Sequence, residues 1–172
     1  MTTATGSILF IGYDYHSYTR AINAEFEHLG YRSQFHSIQP GKLYLKIARR
    51  TSGKLYAALL NRYHRNIILS CPENSFQHVV FLQVHQFSHE NMALLKARQP
   101  NAKFTLYNWD AVTTHDYRPY IHYFDRVLTF DPSDAKTLGV HYLPLFCVRD
   151  FQNLNTKPEN ASSVYFVGNI VN

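Results

Sequence analysis

Three short stretches bring together side chains able to do chemistry. The first is Gly12-Tyr13-Asp14-Tyr15-His16-Ser17, directly after the apolar run Ser7 to Ile11. Asp14 and His16 are groups that can accept a proton from a bound hydroxyl. Ser17 is placed to cap a helix, and a helix amino terminus favours an anionic group. The plainer role for Asp14 and Ser17 is to satisfy turn and cap amides. No G-x-G-x-x-G is present, so the stretch is not a dinucleotide fingerprint. The second stretch is Gln83, His85 and Gln86, polar groups after the apolar run Val79 to Leu82. They suit the holding of sugar hydroxyls, and a structural histidine at a strand end is the competing reading. The third is Trp109-Asp110, where an indole face can stack on a pyranose ring and a carboxylate can accept from paired hydroxyls. A core tryptophan beside a capping aspartate would look the same.

The 10 histidines are scattered, and no HExxH or HxxxH pair falls on one predicted helix with a carboxylate. His85 and His89 are four apart, but a strand-to-helix boundary separates them. No metal site is expected. Cys71 and Cys147 have no C-x-x-C or Cys/His partner spacing and read as small buried hydrophobes in a reducing compartment.

The elements that must position these groups follow a strand–helix alternation. Residues 7–12 form a compact apolar strand, and apolar positions Ala21, Ile22, Phe26 and Leu29 then recur at helical spacing until Gly30. Residues 31–36 give the next strand, completing a βαβ unit. Pro40-Gly41 turns the chain into a long helical region, 42–69, broken near Thr51-Ser52-Gly53. Strands follow within 76–83, 104–107, 126–130 and 140–143. Between them stand a helix from Ser88 to Ala97, a short helix or turn over 117–124, and a helix over 132–138. That last helix has Asp131 as N-cap, Pro132 in its first turn and Gly139 behind it. This is an α/β chain with a Rossmann-like, doubly wound parallel sheet. In such sheets ligands bind beyond the carboxyl ends of the strands, where all three stretches fall.

Residues 1–146 read as one domain and 147–163 as a linker, rich in Asn, Thr, Lys, Pro and Ser. Residues 164–172 restart a strand that ends in Gly168-Asn169. With 45% hydrophobic residues the chain has enough apolar material for a core, which excludes a disordered chain. Its net charge of +5 is unevenly spread. The interval from Glu27 to Glu73 holds eight of the 17 Lys and Arg and no acidic residue between those two glutamates, leaving the remainder net acidic. Basic residues around an apolar stripe over 42–65 suit contact with an anionic membrane surface; nucleic acid or plain solvation are the alternatives. No signal peptide or membrane span is read, so a cytoplasmic protein, peripheral to the inner face of the cell membrane, is expected.

The second half resembles bacterial glycosyltransferases of the GT-B type, in the lipopolysaccharide, capsular polysaccharide and spore-coat-type group. The residues that carry this are Pro100 to Lys103, Tyr107-Asn108-Trp109-Asp110, Tyr123 to Val127, Thr129-Phe130-Asp131 with Asp134-Ala135, Tyr142 to Phe146, and Phe166-Val167-Gly168. Ala111 stands where such chains often have serine, and Val84-His85 where a glycine commonly follows the strand. The resemblance implies two Rossmann-like domains facing a cleft, the first binding the acceptor and the second the nucleotide-sugar donor, without a metal. It implies that residues 1–146 are the acceptor-side domain and 164–172 the first strand of the donor domain. Gly168 and Asn169 would then begin the loop near the donor diphosphate. Within that layout, Asp14 or His16 is the candidate catalytic base, and Tyr13, Ser17, Gln83, His85, Trp109 and Asp110 are the candidate acceptor-binding residues. The nucleotide-sugar is a co-substrate and no cofactor is expected. The partners are a saccharide or lipid-linked acceptor and the donor domain, not nucleic acid, and the chain by itself is expected to be inactive. The alternative is a non-enzymatic flavodoxin-like or receiver-like binding domain. A receiver needs clustered acidic residues after its first strand, where this chain has Asp14 alone.

Overall fold

The structure is a computed structural model and describes residues 6–14 and 18–146. In chain order its elements are β1 (Gly6–Gly12), α1 (Tyr18–His28), β2 (Tyr31–Ser37), α2 (Leu43–Thr51) and α3 (Gly53–Ser70). Then come β3 (His78–Leu82), α4 (His89–Arg98), β4 (Lys103–Asn108), a 3-10 helix (Arg118–Tyr123), β5 (Arg126–Thr129), α5 (Pro132–Leu138) and β6 (His141–Tyr142). The six strands form one sheet in the order β2-β1-β3-β4-β5-β6, and every pairing is parallel. The α/β, doubly wound reading therefore holds. The order reverses between β1 and β3, which is the topological switch point of this architecture.

Period-two alternation divides the apolar residues between two faces. Leu9, Ile11, Val79, Phe81, Phe104 and Leu106 join Ile68 of α3 and Met92 and Leu95 of α4 in the larger core. Ile8, Phe10 and Leu82 face the other way and pack with Ile22 and Phe26 of α1. The loops are set by the chemistry read above. Gly30 (φ 87°) and Gly139 (φ 66°) take the left-handed conformation behind α1 and α5. The Asp131 carboxylate accepts from the amides of Ser133 and Asp134 at 2.7 and 3.0 Å. The helical break falls at Ser52, extended at φ −156°, whose hydroxyl accepts from the Leu55 amide to start α3.

Register brings the strand ends level. Gly12 pairs with Leu82, Leu82 with Tyr107, and Tyr107 with Leu128. The residues that follow β1, β3 and β4 thus emerge together at one edge. The approach of β1 to β3 there is close: a Cβ on Gly12 would lie 2.7 Å from that of Leu82. The proposed linker and donor strand, residues 147–172, lie outside the described residues.

Candidate functional site

At the switch point, Tyr13, Gln83 and His85 follow β1 and β3, and Asp110 and His115 sit on the loop after β4. Together with Gln39, Arg49, Tyr56 and Gln86 they line a cavity of about 300 Å³. Gln83 is the first residue past β3 and is one of the non-glycine residues in the left-handed region, at φ 67°. That unfavourable backbone aims its buried amide across the strand end, where it donates to the Asp110 carboxylate. Asp110 is fixed a second time, because the buried Asn108 amide donates to its backbone carbonyl.

The rest of the loop is tied down from α5. The Asp134 carboxylate accepts from the Val112 amide at 2.8 Å and from the Tyr117 hydroxyl at 3.4 Å. Tyr117 is fully buried and closes the loop. Between those anchors the Thr114 and His115 amides donate to the Ala111 carbonyl, a turn that returns His115 to Asp110. His115 Nδ1 is 3.0 Å from Asp110 Oδ2. The His115 ring lies flat on that of His85, with centroids 3.8 Å apart and planes at 8°. The His85 Nε2 atom in turn is 3.0 Å from the Tyr13 hydroxyl. Tyr13, His85, His115 and Asp110 thus form one chain of contacts across three strand ends.

The two imidazoles stand in different surroundings. Burial pushes the His85 pKa down, the neighbouring His115 pushes the same way, and Asp110 offsets part of this. His85 is therefore neutral around pH 7. His115 is half exposed, with its Nδ1 against the Asp110 carboxylate. With Nδ1–H directed at Asp110, its Nε2 is left to accept a proton from a ligand, and the carboxylate stabilises the imidazolium that results.

His85, Asp110 and His115 can each offer one ligand atom within 4.8 Å of the others. The expectation of no metal rested on spacing along single helices, which does not register groups gathered from different strand ends. As arranged, however, the rings are parallel. Imidazole lone pairs lie in the ring plane, so parallel rings aim them side by side rather than at one point. One ring must turn before the three act as a ligand set, whereas the chain of stacked rings and hydrogen bonds needs no rearrangement.

Of the residues singled out in the sequence, Tyr13, Gln83, His85, Gln86 and Asp110 converge. Asp14 is exposed and does not line the cavity. His16, Ser17, Gly168 and Asn169 lie outside the described residues. Trp109 does not line the cavity that Asp110 lines; just past a strand end, neighbouring side chains point to opposite faces. Its indole packs with the α1-face cluster, 6.0 Å from Tyr18, 5.9 Å from Tyr107 and 5.7 Å from Phe146 between ring centroids. His115, Gln39 and Tyr56 were missed. For His115 the available signal was its place five residues beyond Asp110 in an unstructured, polar loop. Comparison of the chain with protein-family models, with curated proteins and with solved structures returns no match.

Proposed function

We propose that this chain is the acceptor-binding half of a GT-B glycosyltransferase, with the cavity at the β1/β3 switch point holding a hydroxyl-rich acceptor. The observation that carries the reading is the convergence of Gln83, His85, Asp110 and His115 on one polar cavity at the carboxyl edge of a parallel sheet. Amide, imidazole and carboxylate groups at this density suit paired sugar hydroxyls. The motifs of the second half, which resemble this enzyme group, support it independently.

In this reading His115, oriented by Asp110, is the catalytic base; Asp14 does not line the cavity, and His16 lies outside the described residues. An acceptor hydroxyl gives its proton to His115 Nε2 as its oxygen bonds to the anomeric carbon of the donor sugar. The bond from that carbon to the diphosphate oxygen breaks, and the nucleoside diphosphate leaves with the electron pair. The donor comes from a second domain, and the acceptor is a cell-surface polysaccharide or a lipid-linked saccharide.

The test is titration with soluble oligosaccharides while the His85 and His115 ring protons are followed by NMR. Both sets should shift together, and Asp110→Asn should weaken binding roughly tenfold. In protein carrying its donor domain, His115→Gln should lower kcat by about 100-fold or more with little change in KM. The reading fails if no saccharide moves either ring. The strand order β2-β1-β3-β4-β5 is also that of flavodoxin-like binding domains. Saccharide binding with no transfer in the presence of any nucleotide-sugar would favour that second reading.

A further inference from the structure

The outward face of the α2–α3 hairpin is built in a way its packing does not require. Leu45 and Ala48 turn α2 toward the core. On the opposite side of the same helix stand Leu43 and Ile47, one turn apart, 72% and 54% exposed. Lys46 and Arg50 flank them, also exposed. Leu55, 49% exposed, continues the pattern beside Lys54 at the start of α3. Arg49 and Arg50 have an ordinary reason to be here, since cations favour a helix carboxyl terminus. That reason does not account for aliphatic side chains held in water between them. A cavity of about 490 Å³ is lined by residues of both helices, with Leu59 and Ile67 among its apolar walls and Lys42 and Arg62 in its lining. The Lys42 ammonium sits 5.7 Å over the Tyr63 ring there.

We propose that the α2–α3 hairpin docks on a bilayer rich in anionic phospholipid. Leu43 and Ile47 enter the headgroup–acyl boundary, the surrounding lysines and arginines contact headgroup phosphates, and the cavity between Lys42 and Arg62 takes one such headgroup. Charge selects this occupant. The hairpin lies in the interval without a single carboxylate, so a second copy apposing the same face would be repelled. Residues 147–172 carry two basic and two acidic side chains and bring no net negative charge to meet it. Nucleic acid would match the charge but gives the exposed aliphatic residues no apolar phase to enter. Arg49 belongs both to this hairpin and to the lining of the β1/β3 cavity, so docking would bring that cavity close to the membrane surface. The proposal rests on the hairpin alone and not on glycosyl transfer.

Co-sedimentation of the whole chain with vesicles tests it. Binding to phosphatidylcholine containing about 30% phosphatidylglycerol should exceed binding to phosphatidylcholine alone by at least tenfold or so, and should fall steeply with salt. Leu43→Ser with Ile47→Ser, and separately Lys46→Glu with Arg50→Glu, should each cut binding about tenfold while the thermal midpoint stays where it was. Asp110→Asn should leave it unchanged, which separates this proposal from the reading of the cavity. Equal binding to both vesicles would overturn it. So would full binding by the serine pair, or tighter binding to an oligonucleotide that the serine pair retains.

Discussion

His64 shows how one buried side chain sets a condition on the whole fold. It is fully buried on α3, its Nε2 lies 2.7 Å from the Ile38 carbonyl, and its ring stacks on Phe87 at 4.5 Å. Burial drives its pKa down from 6.5 to about 4, with the Ile38 contact opposing only part of that. The folded state therefore holds His64 neutral, while the unfolded chain takes up a proton as the pH falls through 6.5. The stabilising contribution is fully present above pH 6.5 and is lost as the pH falls from there toward about 4. Across that window it amounts to roughly 3 kcal/mol. Urea midpoints measured from pH 4 to 7.5 should rise up to about pH 6.5 and then level, as far as this group contributes. His64→Gln, which keeps a donor for Ile38 without a titrating ring, should flatten that part of the slope. An unchanged slope would remove His64 as its source.

At the level of elements, the sequence made the scaffold legible because its signals were local. The apolar run 7–12, the glycine at 30, the Asp131-Pro132 start and Gly139 stop of α5, and the Ser52 break between α2 and α3 each act over a few residues, and each stands where expected. Half of the site was legible for the same reason: polar residues just past β1, β3 and β4 in a parallel sheet must share an edge. The other half was not. His115 reaches the cavity only because a loop of no regular period is pinned by Asp134, a residue on another element, and by Tyr117. Trp109 was assigned beside Asp110 because adjacency in sequence hides the alternation of faces at a strand end. Asp134→Ala removes the acceptor for the Val112 amide without touching the cavity. It should cost about 1–2 kcal/mol of stability and weaken saccharide binding severalfold through a mobile His115. Loss of the NMR contact between the two histidine rings would report that directly. Full affinity in the variant would show that the loop holds its shape without α5.

For the molecule as a whole, the crevice depends on how closely β1 and β3 approach at their carboxyl ends. Gly12 is the residue that permits this, and the reason is contact rather than a special backbone conformation. A Cβ at that position would sit 2.7 Å from Leu82 Cβ, closer than packed carbons tolerate, and a tight 3.3 Å from the Leu82 carbonyl oxygen. Gly12→Ala must therefore push the end of β1 away from β3 or tilt Leu82 into the α1-face core. Either movement costs about 1–3 kcal/mol. It also separates Tyr13, the next residue, from His85 Nε2, which stands 3.0 Å from its hydroxyl. Stability and ligand affinity should fall together in this variant, because both draw on one strand spacing. Gly41→Ala is the matched control, since a Cβ there meets nothing within 4 Å. Lowering the entropy of the unfolded chain, it should leave stability equal or raised by up to about 1 kcal/mol and leave affinity alone. Chemical denaturation and oligosaccharide titration on the two variants would separate the effects. If Gly12→Ala were as stable as the control and bound as tightly, the strand ends would have room to spare, and the cavity would not be set by the β1–β3 contact.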